Sequence, residues 1–173
     1  MKFIIILLLI FTISYSKENI INGFKDFKFN MTLEDIKSIP YVKNIDFLNP
    51  LCFINTKHSL TMAGINIGSY FVASFSNGML KHLEIHSIPM PKLNILKSAI
   101  EKRYGKKFIF TKSKNDKTCD YYAIKIKNAE IGISTYCPKV KTNNISVYFI
   151  DHSKTIKYDK VDKDKLLDRS KDF

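Results

Sequence analysis

Residues 69–87 read SYFVASFSNGMLKHLEIHS, two runs of alternating apolar residues on either side of Asn77-Gly78. Asn-Gly is the pair that a two-residue hairpin turn prefers, because both of its residues must adopt a positive φ. Alternation with period two lets the apolar residues of both strands share one face. Counting outward from the turn predicts these cross-strand pairs: Ser76 with Met79, Val72 with Leu83, and Tyr70 with Ile85.

Two helices are predicted around this hairpin. The first begins after Thr32, whose side chain can cap the helix, with Asp35 at the third position as in a capping box, and it ends before Pro40. The second begins at Pro91 and ends at Gly105, and its apolar residues recur at spacings of three and four. These apolar positions are Leu93, Leu96, Ile100 and Tyr104.

Strand patterns occupy most of the remaining chain. The runs with strand character are 51–57, 60–67, 107–112, 120–127, 130–137 and 144–150. Together with the hairpin they give the order helix, several strands, helix, several strands. This order predicts an α+β fold with two helices packed on an antiparallel β-sheet.

The first sixteen residues have the pattern of a signal peptide. Lys2 precedes a strongly apolar run from Phe3 to Ile13, which is far shorter than the roughly 20 residues that a helix needs to cross a bilayer. Ser14 and Ser16 are small enough for cleavage before Lys17. The predicted organisation is a signal peptide over 1–16, one domain over 17–150 and a charged tail over 151–173. The predicted location is the periplasm or the extracellular medium.

Positive charge is concentrated in the second half of the chain. Thirteen Lys and Arg residues stand against four acids between Pro91 and Ile150, whereas Lys17 to Met90 has seven against six. This imbalance favours an acidic protein or an anionic envelope surface as partner, and export makes nucleic acid the least favoured polyanion. The alternative is that these lysines only solvate the surface. The candidate binding patch consists of Lys106, Lys107, Lys112, Lys114, Lys125, Lys127, Lys139 and Lys141.

The three cysteines predict one disulfide and one free thiol. Cys119 and Cys137 are the expected pair, because they bracket a hairpin that turns near Asn128-Ala129. Alternation places these two cysteines on opposite faces, so the pairing requires a bulge or a strand that begins after Cys119. Cys52 lies in an apolar context and is expected to be a buried free thiol.

His82, Glu84 and His86 alternate along the second strand of the hairpin. On a strand they would project from one face, and two imidazoles with a carboxylate are a zinc ligand set in kind. Same-face neighbours lie about 7 Å apart, so convergence of all three would need a bent strand. The alternative is an ordinary polar outer face. No cofactor is predicted, and no nucleophile elbow, phosphate-binding glycine loop or metalloprotease helix is present in the sequence.

Three further segments resemble those of small bacterial envelope proteins. FKFNMTLEDIK at 27–37 resembles their first helix start, SNGML at 76–80 their hairpin, and Leu96 to Gly105 their helix end. Asn30 stands where glycine is usual, and asparagine tolerates the same left-handed turn. The similarity is to β-lactamase-inhibitor-protein-like domains and small outer-membrane assembly lipoproteins, although no lipid-attachment cysteine follows the signal region. It implies a helix-and-sheet periplasmic module that binds proteins.

The sequence thus predicts an exported, non-enzymatic module that binds protein, such as an inhibitor or immunity protein directed against an acidic partner. Two other functions are open from the sequence. One is a peripheral envelope factor that binds anionic lipid through the basic half, and the other is a zinc-binding periplasmic protein.

Overall fold

The computed structural model describes residues 20–48, 50–112, 120–135 and 143–153. The described helices are α1 (Leu33–Lys37) and α2 (Leu93–Tyr104), and a single 3-10 turn (Met90–Lys92) precedes α2. The described strands are β1 (Val42–Leu48), β2 (Leu51–Thr56), β3 (Thr61–Met62), β4 (Ile65–Asn66), β5 (Tyr70–Ser76), β6 (Met79–Pro89), β7 (Ile109–Lys112), β8 (Asp120–Ile126), β9 (Ala129–Ser134) and β10 (Asn144–Asp151).

Eight of these strands form one antiparallel sheet in the order β1-β2-β5-β6-β10-β9-β8-β7. Strands β3 and β4 form a separate hairpin in the connection between β2 and β5. The sheet has two halves, each a helix followed by four strands that pair with their neighbours in turn. The halves meet where β10 pairs with β6, so the sheet is continuous from β1 to β7.

The predicted α+β class is wrong, because the described chain is mostly β. Helix α1 has only five residues and α2 has twelve, whereas the sheet has eight strands. Strand β1 was not predicted, because Asn44 and Asp46 make its sequence look polar and a bulge interrupts its pairing with β2. The predicted strand over 60–67 is the hairpin β3–β4, which turns through Ala63-Gly64, both at positive φ.

The predicted start of α1 and end of α2 are confirmed, whereas α2 begins at Leu93, after the 3-10 turn, and not at Pro91. The Thr32 Oγ1 accepts a hydrogen bond from the Asp35 N–H at 3.2 Å, and the Thr32 N–H donates to Asp35 Oδ2 at 2.8 Å. Gly105 ends α2 in the left-handed region at φ 65°. Asn30 is also left-handed, at φ 68°, as expected for a residue in the usual place of glycine.

One face of the sheet, here called the core face, carries the hydrophobic core. The segment before α1 packs on it, with the Phe27 and Phe71 rings 5.6 Å apart and the Phe24 and Phe149 rings also 5.6 Å apart. The buried side chains of α2 belong to the same cluster. Core-face residues from the strands include Cys52, Ile54, Phe71, Ala73, Leu83, Ile85, Ile124, Ile131, Ile133, Val147 and Phe149.

The predicted hairpin forms, but its register differs from the prediction by one residue. Ser76 pairs with Met79 around the Asn-Gly turn, as expected. Lys81 is an extra residue on β6, because Leu80 pairs with Phe75 and His82 with Ser74. This bulge places Val72 opposite Glu84 rather than Leu83. The residues that pair on the core face are therefore Phe71 with Ile85 and Ala73 with Leu83.

The bulge buries Lys81, which is only 2% exposed to solvent. Its Nζ donates to Asp151 Oδ2 at 2.5 Å, to Asn30 Oδ1 at 2.7 Å and to Ser153 Oγ at 3.4 Å. The backbone of the neighbouring Leu80 exchanges hydrogen bonds with Asn30 and Met31. Lys81 therefore joins the segment before α1 to the end of β10, across the central strand pair.

Replacing Lys81 by methionine should lower the free energy of unfolding by about 3–5 kcal/mol, because it leaves the Asp151 carboxylate buried without its cation. Urea denaturation measures the change. The matched control is Lys37→Met, which removes an exposed ion pair with Glu34 at 2.7 Å and should cost no more than about 1 kcal/mol. Equal costs for the two variants would show that the buried pair has no special role.

Candidate functional site

The face of the sheet opposite the core, here called the outer face, carries the candidate site. Its side chains alternate with those of the core face and are not part of the described core cluster. The contacts of α1, α2 and the segment before α1 are with the core face. Outer-face residues include Leu51, Phe53, Tyr70, Val72, His82, Glu84, His86, Ile109, Tyr121, Ala123, Lys125, Glu130, Gly132, Tyr148 and Ile150.

Three rings form a row across the middle of the outer face. The His82 ring on β6 stacks with Tyr148 on β10 at a centroid distance of 5.7 Å and an interplanar angle of 22°. Tyr148 in turn contacts Tyr121 on β8 at 6.2 Å. Phe53 and Tyr70 form a second stacked pair, 6.0 Å apart, on β2 and β5. Aromatic side chains therefore line this face on both halves of the sheet.

Gly132 on β9 makes room for the aromatic row. It pairs with Tyr148 on one side and Ala123 on the other. A Cβ at position 132 would lie 1.9 Å from the hydroxyl oxygen of Tyr121 and 2.4 Å from its Cζ. The Tyr121 ring therefore lies directly over the glycine backbone, in space that any other residue would fill.

A carboxylate lies beside each of the two tyrosines of the row. The Tyr121 hydroxyl donates to Glu130 Oε1 at 2.6 Å, while Lys125 Nζ lies 3.2 Å and His152 Nε2 3.3 Å from Glu130 Oε2. Burial tends to raise the pKa of Glu130, but the hydrogen bonds from Tyr121, Lys125 and His152 outweigh burial and lower it. Glu130 is thus a buried carboxylate with a full set of partners.

Glu84 has a different environment. Its Oε1 lies 3.3 Å from His86 Nδ1, and its carboxylate accepts a hydrogen bond from the Tyr148 side chain. Burial raises the pKa of Glu84 to about 7, against the smaller opposing effect of that hydrogen bond. Burial therefore affects Glu84 and Glu130 differently, since the hydrogen bonds of Glu130 lower its pKa and those of Glu84 do not offset its burial.

Burial disfavours the protonated form of both histidines on this face, His82 and His86. Burial, with a smaller effect from the nearby His86, lowers the pKa of His82 to about 4. Burial also lowers the pKa of His86, whose Nδ1 lies 3.2 Å from Ser146 Oγ. Among the described residues, His82 Nε2 and the Oγ of the cross-strand Ser74 are buried without a hydrogen-bond partner. Such perturbed groups are concentrated at functional sites in proteins.

The three predicted zinc ligands lie on one face, as their alternation indicated. Glu84 and His86 are in contact, and the His82 ring stacks on Tyr148. Within the described residues, no group of three histidine, cysteine or acidic side chains is placed to hold a metal ion. The zinc site stays a prediction from the sequence.

The candidate lysine patch is only partly described. Lys125 is exposed on the outer face, opposite the buried Ile124 and Ile126, as the alternation predicted. Lys106 Nζ reaches the Lys125 carbonyl at 3.4 Å, so these two lysines lie close together. Lys107 instead pairs with Glu101 at 3.0 Å.

The remaining lysines of the predicted patch lie in a turn, at a strand end or outside the described residues. Lys127 lies in the β8–β9 turn at φ 53°, one residue earlier than the predicted turn at Asn128-Ala129. The backbone of Lys112 ends β7, and its side chain lies outside the described part. The predicted patch residues outside the described part of the chain are Lys114, Lys139 and Lys141.

Cys52 is buried and free, as predicted. Burial, more than the nearby Asp46, raises the pKa of its thiol to about 11, so it is unreactive at neutral pH. No disulfide is present in the described residues, and the predicted partners Cys119 and Cys137 lie outside them. The Thr135 N–H donates to the Asp120 carbonyl at 2.9 Å, so the described ends of β8 and β9 leave the sheet side by side.

The predicted signal peptide and most of the charged tail also lie outside the described residues. Within the described residues, neither length nor hydropathy qualifies any helix as a membrane span.

No family model, curated protein or solved structure matches this chain. The resemblance to small envelope proteins therefore stays a prediction.

Sequence reasoning found the β6 residues of this site and missed those contributed by the other strands. Tyr122 and Ile124 are on the core face, so strand alternation in the sequence predicts that Tyr121 points to the outer face. Its neighbours Tyr148 and Gly132 were not, because they meet it only through the strand order β10-β9-β8.

Replacing Gly132 by alanine should displace the Tyr121 ring and cost about 1–3 kcal/mol in stability, as overpacking does. The control is the same substitution in a Tyr121→Ala background, where the space is empty and the added methyl group should cost little. Urea denaturation of the four chains completes a double-mutant cycle. A coupling free energy near zero would mean that the tyrosine does not depend on the glycine.

Replacing Glu84 by glutamine should flatten the pH dependence of stability between about pH 4.5 and 7. The folded chain retains a proton on Glu84 that the unfolded chain releases in this range, because the pKa is raised from 4.5 to about 7. The parent chain should therefore lose on the order of 3 kcal/mol as the pH rises through this window. The glutamine variant should lack that loss, as measured by urea denaturation at a series of pH values. Parallel curves for the two chains would contradict the burial of this carboxyl group.

Proposed function

We propose that this chain is an exported module that binds an acidic protein through the outer face of its sheet and acts by binding rather than by catalysis. The observation that carries the proposal is the aromatic lining of that face, formed by His82, Tyr148 and Tyr121 at its centre and by Phe53 and Tyr70 beside it. Aromatic residues supply most of the binding free energy in protein interfaces.

The outer face is ordered before any partner arrives. Tyr121 is fixed by Glu130 and by the space above Gly132, and Tyr148 is held between two rings and bonded to Glu84. Side chains that already occupy defined positions lose little conformational entropy on binding. Because the hydroxyls and carboxylates of this face bond to one another, their arrangement favours a recognition surface over a reaction centre.

Net charge supports an acidic partner. The whole chain carries a formal charge of +12. Lys125 is exposed on the outer face, and Lys106 Nζ lies 3.4 Å from its carbonyl oxygen. Such a distribution accelerates encounter with a negative surface and gives an association rate that falls with salt.

A protein partner is favoured over anionic lipid by the ion pairs of the basic half. Binding to a lipid surface requires a continuous area of free lysines. Lys107 is paired with Glu101, and Lys125 with Glu130, so acids interrupt that area. The aromatic rings of the outer face instead offer a protein partner side chains that it can pack against.

Photo-crosslinking tests this proposal in the cells that produce the chain. A photoreactive phenylalanine replaces Tyr70, which lies on the outer face and is 43% exposed. We expect a crosslink to one acidic protein, identified by mass spectrometry, that weakens at high salt. The matched control places the same group at Ile95, which is 51% exposed on α2.

The two positions are equally accessible but lie on opposite sides of the sheet. A crosslink at Tyr70 and none at Ile95 supports binding through the outer face. Equal crosslinking at both positions, or crosslinking to basic proteins, would contradict the proposal.

A further inference from the structure

One edge of the sheet is open and apolar on both of its faces. Among the described strands β7 pairs with β8 alone, at the end of the strand order. Ile109, on the outer face, is 68% exposed, and Phe110, on the opposite face, is 49% exposed. An edge strand with exposed apolar side chains on both sides is a template for pairing with another extended segment.

The edge strand is held in a fixed position. The Glu101 carboxylate of α2 accepts a hydrogen bond from the Phe108 N–H at 2.9 Å, just before β7. The Phe110 ring packs against Tyr122 of β8, with centroids 5.3 Å apart. A strand that is already extended and anchored offers its backbone hydrogen bonds to a partner at a low entropic cost.

The positive charge before β7 favours pairing with an acidic segment. Four exposed cations lie within the seven residues before the strand, namely Lys102, Arg103, Lys106 and Lys107. Glu101 is the one acid beside them, and it pairs with Lys107. An acidic segment would find favourable charge at this end of the strand.

The same charges oppose pairing between two copies of the chain. Strand β7 follows Lys106-Lys107 and ends at Lys112. Antiparallel pairing of two such strands would bring Lys106-Lys107 of one copy near Lys112 of the other, and like charges close together across strands are destabilising. A second copy is therefore a poor occupant of this edge.

The other edge of the sheet also exposes apolar residues, Phe47 and Leu48 of β1, but no cluster of cations precedes it. Strand β1 carries a bulge between Val42 and Asn44, and the Val42 N–H already donates to the Ile39 carbonyl at 2.9 Å. Bulges protect sheet edges from strand addition. The charged residues of β1, Lys43 and Asp46, have opposite signs, so they favour neither an acidic nor a basic partner.

We infer that β7 is a strand-addition site, at which an extended segment of the partner, with acidic residues beside an apolar run, pairs as a ninth strand. The inference rests on the proposed function, since it names the part of the acidic partner that is recognised. The site is continuous with the outer face, because Ile109 pairs with Ala123 and Thr111 with Tyr121. A partner lying on the outer face would thus reach β7 directly.

Synthetic peptides test the inference with the full chain. The probe has about twelve residues, alternating valine and threonine with three glutamates at one end, and carries a fluorescent label. Its first control replaces the glutamates by lysines, and its second is N-methylated at every other residue, which removes backbone donors without changing charge. Binding is measured by fluorescence anisotropy, and its position by amide chemical shifts.

We expect the glutamate peptide to bind at least about tenfold more tightly than either control, with shifts confined to β7, β8 and the residues before β7. Affinity should fall steeply between 0.1 M and 1 M salt, as the Debye length shrinks from about 10 Å to about 3 Å. Ile109→Glu should abolish binding, because it removes an apolar contact and places a carboxylate beside the acidic peptide. Ile95→Glu is the matched control on α2 and should bind as the parent chain does.

Absence of binding by the glutamate peptide, equal binding of the N-methylated peptide, or unchanged binding to the Ile109→Glu variant would each overturn the inference. The proposed function has its own readout in crosslinking from Tyr70. A crosslink there together with a failed peptide experiment would remove the strand-addition site alone. Failure of both would remove the protein-binding function as well.

Discussion

A buried ammonium group at the middle of the sheet sets the arrangement of everything around it. Lys81 occupies a bulge on β6, and its Nζ bonds to Asn30, Asp151 and Ser153, which come from the two ends of the described chain. Leaving the Lys81 ammonium or the Asp151 carboxylate without a partner in the core would be strongly unfavourable. The bulge, the left-handed Asn30 and the end of β10 are therefore mutually dependent.

The bulge also decides which residues reach the outer face. One extra residue on β6 moves every later side chain of that strand by one pairing position relative to β5, and the core then selects Leu83 and Ile85. His82, Glu84 and His86 fall on the opposite face as a consequence. The candidate site is thus a consequence of core packing. The alternation that buries the aliphatic residues on the core face places the polar and aromatic residues on the outer face.

The outer face combines rigidity with a titratable group near neutral pH. Glu130 is fully partnered and holds Tyr121, whereas Glu84 is half-buried next to the neutral His86. Burial raises the pKa of Glu84 and lowers those of both histidines, because it disfavours the charged form of each of these three groups. Lysines stand at the β8 side and before β7, where solvent screens them. An aromatic centre with a basic margin is the arrangement on which the proposed protein partner rests, since charge would steer the encounter and aromatic contacts would hold the complex.

Local sequence signals determined the turns, the caps and most of the strands. The Asn77-Gly78 turn, the Thr32 cap, the Gly105 helix end and the burial of Cys52 all follow from interactions between near neighbours or from side-chain hydrophobicity. The fold class, the Lys81 bulge and the Tyr121–Gly132 contact do not. They depend on contacts between residues far apart in the chain, such as Lys81 with Asp151, whose free energy is absent from any short window of sequence. Only the tertiary structure could decide that two meanders join through β6 and β10 into one sheet, and that this sheet has an aromatic outer face.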